Sequence, residues 1–529
     1  MRDKHNWIVF GLFALMVFGK TLLFDHFAFR EWNFAPTWLS MLYKIGAAVF
    51  FASFTFLLRD KRWLIPLSVV IDTWFIANLV YMRNNHILLD GEAFNMAGNL
   101  HGYFWSVLIY IEWGIDLMFY GLTALFSLIY LYTKKSERSW QAWLILCIFG
   151  LLPLAGERSK HVYGQNFPQT VASTSILYAP YYIVADYRLM INGQQPIRPL
   201  LPEDEQWMAL LDEGKDSVTL DSPLIIVLLE SLENWVVTPE IMPNLYRLTQ
   251  NEHVFYANRI HTQIVGAPSA DGQMLVNTGL LPITAGGTCL HYWRDTYPAI
   301  MKLAPEKPIC LLPHDTCVWN QTHMSPAYGY DSTICYSDVD TILFQKLDSL
   351  VDEGHLYIQC ITQSTHAPFV NEKYSSLALP KSMSWVMYNF IRGFNSLDDG
   401  LGYFIRKIET DSVLQNYTIV FTGDHRILHY EKRQQMQAYS DKHGMNLNPA
   451  DDVLPLIIYS PKITGNPRYT EDAYQMDIYP TYRTLVGAGE YRWKGFGINL
   501  LDRAQKRSID EDEAYLLSDR LIRNNYFAR

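Results

Sequence analysis

The stretch Leu224-Ile-Ile-Val-Leu-Leu-Glu-Ser231 decides the fold. Six consecutive apolar residues ending at an acid do not alternate and are too short for an ordinary helix. They read as a strand buried on both faces, the kind used in a mostly parallel sheet covered by helices. Four more runs of this type lie at 309–312, 356–361, 417–421 and 454–459, separated by helix-length segments. The pattern predicts an α/β domain with a mostly parallel central sheet over 222–505.

Residues just past the ends of these runs locate a site. Glu230 ends the first run and His314-Asp315 ends the second. His366 stands five residues past the third, and Thr422-Gly423 leads from the fourth into Asp424-His425. In an open parallel sheet, sites form beyond the carboxyl ends of the strands, so these separated residues are expected to converge on one edge. Glu230, Asp424 and His425 form an oxygen, oxygen and nitrogen set suited to a divalent cation, and the absence of thiolates argues against a structural zinc site. Each residue alone is more often a loop charge or cap; the ordered set carries the reading. Between the first two runs, 261–274 is a loop of small residues leading into a helix. A hydroxyl at a helix N-terminus can be polarised by backbone N–H groups and a nearby ion, which makes Ser269 a candidate nucleophile. The same segment reads equally well as a plain Ser N-cap with Asp271 in the first turn.

Composition divides the chain in two. The 529 residues have a mean hydropathy of −0.02, an average that hides an aromatic-rich front. Residues 1–157 hold 33 aromatics, 12 Lys+Arg and 11 Asp+Glu, a net charge of +1, whereas the remaining 372 residues carry −11. This excludes disorder, a disulfide miniprotein and a coiled coil, and the acidic back half argues against a nucleic-acid partner. Five apolar stretches (7–23, 38–58, 63–81, 105–132 and 140–154) are expected to cross a bilayer, with Lys20, Lys44, Asp72, Glu112 and Asp116 inside them facing neighbouring helices or the interface. Arg2, Lys4, Arg59, Lys61, Arg62, Lys134, Lys135 and Arg138 lie on one side of these spans, against Arg30 and Arg83 on the other. Retention of basic loops in the cytoplasm then puts the N-terminus inside and everything past Glu157 outside. A Trp at or near the start of each span fits an interfacial belt. The expected organisation is a five-helix membrane domain (1–157), a juxtamembrane connector (158–221), the α/β domain (222–505) and a tail (506–529). Of the six cysteines, Cys310 and Cys360 lie in strand-like runs and read as buried thiols, and one disulfide among Cys289, Cys317 and Cys335 is compatible with an outer location.

Taken in order, 224–231, Met242-Pro-Asn-Leu245, the Ser-x-Asp of Ser269 to Asp271, Trp319-Asn320, Thr365-His-Ala-Pro-Phe369 and Gly423-Asp-His425 resemble the lipoteichoic acid synthase family. These are phosphoglycerol transferases of the alkaline phosphatase/sulfatase-like superfamily. The resemblance implies a bacterial inner-membrane enzyme with an extracytoplasmic catalytic domain. It implies that Glu230, Ser269, Asp424 and His425 bind one divalent ion, Mn²⁺ first and Zn²⁺ or Mg²⁺ as alternatives. Ser269 takes the nucleophile position, and Trp319, His366 and Gln321 the substrate-binding positions. The chain departs from the family in carrying Ser for Thr as nucleophile and Gln321 where Arg is usual, which removes a positive charge suited to phosphate. A true sulfatase fits less well, because Gly266 stands where the formylglycine precursor would be. The expected activity is transfer of a phosphoglycerol-type headgroup from a phospholipid donor to an envelope glycan or lipid acceptor. A phosphoethanolamine transferase, a phosphodiesterase and a catalytically silent envelope binding module are the alternatives.

Overall fold

Helices rich in apolar residues build the front of the chain. The structure, a computed structural model, describes residues 2–29, 37–85, 88–89, 93, 107, 109–128, 137–156, 166–184, 199–211, 218–284, 286–336, 339–367, 369 and 374–528. The chain divides into two units, Met1–Pro196 and Ile197–Arg529, and the division falls inside the segment read as a connector.

The first unit contains α1 (Arg2–Ala28), α2 (Trp38–Leu57), α3 (Leu64–Asn85), α4 (Trp113–Ser127), α5 (Trp140–Leu151) and α6 (Asn166–Ser173). Among the described residues three helices, rather than the expected five, are long and apolar enough to cross a membrane. The 105–132 stretch is described only in part, since 105–106, 108 and 129–132 lie outside the described residues. The 140–154 stretch forms a shorter apolar helix. Arg30, Lys134 and Lys135 also lie outside the described residues.

The buried charges within these helices are paired. Lys20 Nζ reaches Asp72 and Thr123 at 2.5 Å and Ser68 at 3.0 Å, joining α1, α3 and α4. Arg83, expected in a loop, sits in the last turn of α3 and grips Asp116 of α4 with two bonds of 2.8 and 2.9 Å. Lys44 pairs with Asp25 at 3.0 Å and donates to the carbonyls of Ala172 and Thr174. Such pairing satisfies groups that hydrocarbon cannot. Trp7, Trp38, Trp63, Trp113 and Trp140 are all exposed.

The second unit is built on a nine-stranded sheet. Its strands are β1 (Leu224–Leu229), β2 (Val254–His261), β3 (Ile309–Leu312), β4 (Ser332–Cys335), β5 (Tyr357–Ile361), β6 (Thr418–Gly423), β7 (Leu454–Tyr459), β8 (Arg468–Tyr469) and β9 (Ala473–Tyr474). The order is β4-β3-β5-β1-β6-β7-β2-β8, with β9 paired to β2. The five strands from β4 to β6 are mutually parallel. β7 runs antiparallel to both β6 and β2, so the sheet is mixed. Every residue of β1, β3, β5, β6 and β7 is buried, as continuous apolar runs require. The reversal of β7 explains why no site residue comes after the fifth run: its carboxyl end points away from the other four.

Helices that matter to the site are α7 (Pro268–Thr278), α8 (Gln321–Ala327), α9 (Trp385–Thr410), α10 (Tyr430–Lys442) and α11 (Glu511–Arg523). Pro268 at the first turn and Gly279 with φ of 67° just past the end bound α7, the usual Pro-start, Gly-stop asymmetry. α11, in the segment read as a tail, inserts Ala514, Leu517, Leu521 and Ile522 into the main core. Its Arg520 is buried against Asp204 with bonds of 2.8 and 2.5 Å, so the residues just past Ile197 are bound into this unit. All six cysteines are free; Cys289, Cys310 and Cys360 are buried, while Cys317 and Cys335 are exposed. The disulfide allowed by the sequence is therefore not formed.

Candidate functional site

The adjacent strands β1 and β6 deliver the cluster at their carboxyl ends. β1 stops at Leu229, Glu230 comes next, and Ser231 turns the chain with φ of 56°. The β6 end runs through Gly423 into Asp424 and His425. Two glycines permit the approach of neighbouring backbone. A Cβ at Gly423 would sit 2.3 Å from the Leu232 carbonyl oxygen, and one at Gly272 of α7 would sit 2.2 Å from the Asp424 carbonyl oxygen. Neither oxygen belongs to a side chain that could swing away, so α7 reaches the Asp424 backbone only because position 272 has no side chain.

That approach places Ser269. Its Oγ lies 3.4 Å from Glu230 Oε2 and 3.2 Å from His425 Nε2. The N-cap of α7 is Ala267, without a side-chain cap bond, so Ser269 is inside the first turn and its hydroxyl faces the cluster instead of capping the helix. Asp271 organises the preceding loop: one carboxylate oxygen accepts from the backbone N–H groups of Val265, Gly266 and Ala267 at 2.9 to 3.1 Å. Burial pushes Asp271 up to about 7, against the pull of those three donors.

Glu230, Asp424 and His425 present ligand atoms all within 4.8 Å of one another, and among the described residues they are the one such group. His425 Nε2 is 3.5 Å from Glu230 and 3.6 Å from Asp424. Each ligand is held from outside. Glu230 Oε1 accepts from the Ser231 hydroxyl at 2.6 Å, its N–H donates to Thr362 Oγ1 at 2.9 Å, and its carbonyl accepts from Thr365 Oγ1 at 2.6 Å. Asp424 Oδ1 accepts from the backbone N–H groups of Ser231 and His425, both at 2.8 Å. Its other oxygen, Oδ2, is buried with no hydrogen-bond partner among the described residues. An orphaned carboxylate oxygen costs on the order of 1–3 kcal/mol or more when charged, and it faces the same space as the imidazole and Glu230. Burial first, then the Glu230 carboxylate, pushes Asp424 up to about 7. For His425, burial favours the neutral ring, but Asp424 and Glu230 outweigh it and raise its affinity for a proton. Two buried carboxylates therefore call for positive charge, and the donor set with its unsatisfied oxygen fits a divalent cation.

The other sequence-derived positions distribute differently. His366 lies past β5 with its Nδ1 2.6 Å from the Ala367 carbonyl; burial lowers its proton affinity, with His425 adding to that effect and Asp424 opposing it. Burial likewise lowers the proton affinity of His314, past β3, which lies within electrostatic reach of His366. Trp319 and Asn320 both adopt left-handed backbone, φ of 48° and 56°, where a non-glycine residue is strained. Trp319 packs partly against the core. Gln321 is buried against α7: it donates to Gln273 Oε1, one turn past Ser269, at 2.6 Å and accepts from Ser325 at 2.9 Å. An amide fills this slot without the charge an Arg would bring. Ser231, Thr362 and Thr365 support the site without having been singled out; the signal available was their position beside strand ends.

Residues 292–488 match the Sulfatase family model, a segment that holds Trp319, His366, Asp424 and His425 and begins after Glu230 and Ser269. A lipoteichoic acid synthase-like protein of Bacillus subtilis (strain 168), YvgJ, is 25% identical over 326 residues, 55% of this chain and 51% of that protein. Lipoteichoic acid synthase 2 of the same organism is 22% identical over 312 residues, covering 54% of this chain and 48% of that one. Among solved structures, the lipoteichoic acid synthase LtaP of Listeria monocytogenes aligns with 61% of this chain and 97% of its own, at 20% identity and a TM-score of 0.49. The chain is thus similar to the Sulfatase family model over 292–488 and to lipoteichoic acid synthases, and it spans about half the length of the curated relatives it matches.

Proposed function

We propose that the protein is a membrane-anchored, metal-dependent transferase that moves a phosphoglycerol-type headgroup from a phospholipid to an envelope glycan or lipid, through a covalent intermediate on Ser269. The observation that carries this reading is the Ser269 hydroxyl, aimed from the first turn of α7 at Glu230 and His425 beside the unsatisfied oxygen of Asp424. The homologues named as lipoteichoic acid synthases support the reaction class. Three apolar helices support an anchor beside a lipid donor that does not leave the bilayer. The basic-loop asymmetry supports an N-terminus in the cytoplasm and a catalytic domain outside.

Glu230, Asp424, His425 and Ser269 would hold one divalent ion, Mn²⁺ by the resemblance and Zn²⁺ or Mg²⁺ as alternatives. When bound, such an ion supplies positive charge that stabilises the serine alkoxide and the developing charge on phosphoryl oxygens. Ser269 Oγ attacks phosphorus in line, forming an Oγ–P bond while the bond to the diacylglycerol oxygen breaks. The proton lost from Ser269 is balanced by the one diacylglycerol takes up. An acceptor hydroxyl then attacks phosphorus, the Oγ–P bond breaks, and Ser269 regains a proton. Burial lowers the proton affinity of the His366 ring, and in its neutral form that ring could receive the acceptor's proton in this second step.

The test is to incubate the purified full-length protein with labelled phosphatidylglycerol or phosphatidylethanolamine and follow diacylglycerol release. Release with phosphatidylglycerol is expected, together with a glycerophosphate mass adduct on Ser269 that vanishes in Ser269→Ala. No turnover of either donor with Mn²⁺, Zn²⁺ or Mg²⁺ refutes the proposal. Turnover of phosphatidylethanolamine alone reassigns the headgroup.

A further inference from the structure

Behind the loop that carries His425 lies a buried ion pair that touches neither substrate nor ligand atoms. Glu233, three residues past Glu230, is fully buried. Its Oε1 accepts from Arg433 Nη2 at 2.6 Å and from the Ile427 N–H at 3.3 Å, and its Oε2 accepts from Trp235 Nε1 at 2.7 Å. Arg433, in the first turn of α10, is also buried and gives its remaining donors to the Leu428 carbonyl at 2.8 Å and the Pro449 carbonyl at 3.0 Å. One guanidinium therefore ties the segment after β1, the segment after β6 and the approach to β7. A buried ion pair adds little net stability over a well-packed apolar replacement, so stability alone gives no reason for charges here.

The reason lies in one peptide unit. The Ile427 N–H that donates to Glu233 shares its peptide with the Arg426 carbonyl, and that carbonyl accepts from His425 Nδ1 at 2.9 Å. In a trans peptide the N–H and C=O point in opposite directions. The 426–427 unit thus has the Glu233 carboxylate on one side and the imidazole on the other. A carboxylate accepting from its N–H polarises the unit and strengthens the carbonyl as an acceptor. With the proton fixed on Nδ1, Nε2 keeps its lone pair toward Ser269, Glu230 and Asp424, the only arrangement in which the ring can serve as a ligand there.

We infer that Glu233, locked by Arg433, is a positioning residue: through the 426–427 peptide it fixes the tautomer and orientation of His425 and so sets the affinity of the site for its divalent ion. The inference rests on the metal-site reading above. Full-length protein stripped with chelator would be titrated with Mn²⁺, Zn²⁺ and Mg²⁺ by calorimetry, and its melting temperature measured without metal. Glu233→Gln keeps the shape and removes the charge; affinity for the ion that binds the parent is expected to fall about 10–100-fold, as for other residues that orient a ligating histidine. Glu233→Asp, whose shorter carboxylate cannot reach Ile427, is expected to weaken binding similarly and serves if Glu233→Gln does not fold. A variant that binds the ion as tightly as the parent, whether or not its melting temperature falls, overturns the inference by reducing Glu233 to a structural role. A parent that binds none of the three ions overturns the metal site itself and the inference with it.

Discussion

Replacing Gly272 by Ala should damage catalysis far more than folding. The added Cβ would stand 2.2 Å from the Asp424 carbonyl oxygen, 2.8 Å from its carbonyl carbon and 3.0 Å from its Cα. Ordinary carbon contacts are about 3.5 Å or more, so α7 and the Asp424 backbone must separate by roughly 1 Å. The Asp424 backbone has little freedom to yield: its carbonyl accepts from buried Gln475 at 2.7 Å and its carboxylate is pinned by two backbone donors. The helix therefore moves, and Ser269, one turn earlier, moves with it. A displacement of about 1 Å at a reacting group costs on the order of 100-fold in rate. Overpacking costs about 1–3 kcal/mol, partly offset by the gain of about 0.5–1 kcal/mol from replacing a helical glycine. The net loss should lower the melting temperature by no more than several degrees for a unit of this size. Gly393→Ala on α9 is the control, because a Cβ there meets nothing within 4 Å; it should keep activity and melt no lower than the parent. The assay is diacylglycerol release per folded molecule, normalised to the far-ultraviolet signal. A Gly272→Ala protein with parental turnover would refute the claim that this contact sets the position of Ser269.

Buried charge supplies further tests. Asp424 and Asp271 are both pushed up to about 7 by burial, so between about pH 4 and 7 the folded state holds protons that the unfolded chain releases, and stability falls as pH rises through that window. The raised affinity of His425 acts in the same direction, its contribution being lost as pH rises past its folded value. Thermal melts in chelator should therefore fall from pH 4.5 to 7.5, and a divalent ion should remove the Asp424 part of the slope; a melting temperature that climbs with pH in chelator contradicts the burial of these carboxylates. In the first unit, Lys20→Met leaves Asp72 buried without its cation and should cost about 3–5 kcal/mol, seen as loss of monodisperse protein in detergent. Lys20→Met with Asp72→Leu should recover most of it, and failure of that rescue would show that the pair does more than neutralise itself.

Legibility followed physics. The runs at 224–229, 309–312 and 454–459 became strands with the same bounds because continuous burial on both faces leaves an unambiguous apolar string. β2 was not legible: it lies beside the two-residue strands β8 and β9 and carries Tyr256, Asn258, Arg259 and His261 among its eight residues, so its string is broken. The reversal of β7 was equally hidden, since a buried strand looks the same in either direction. Glu230, Asp424 and His425 were legible because chemistry at consecutive strand ends is a positional signal. The partners of Gln321 were not legible: its amide bonds Gln273 of α7 and Ser325 in a buried slot, and neither residue carries a signal for this in the sequence. The Glu233–Arg433 pair had no signal at all, its partners being 200 positions apart.

Both units bury charge, and how that charge is satisfied differs from place to place. In the first unit Lys20 has Asp72, Lys44 has Asp25 and Arg83 has Asp116, while buried Lys61 donates to the Thr55 and Leu58 carbonyls, so the cost of burying each of these cations is met locally. Glu233 with Arg433 and Asp204 with Arg520 follow the same rule in the second unit. Buried Asp271, Asp340 and Asp398 take backbone, hydroxyl or amide donors in place of a cation. Glu230 and Asp424 differ in lying together: two carboxylates share one imidazole, and an Asp424 oxygen has no donor among the described residues. Folding could have relieved this by placing a lysine or arginine at the cluster, as it does elsewhere in the same chain. Surplus negative charge held around a serine hydroxyl fits a divalent cation. That imbalance, more than any one residue, supports the proposed chemistry: a cation that neutralised Asp424 would also lie where it could stabilise an alkoxide on Ser269.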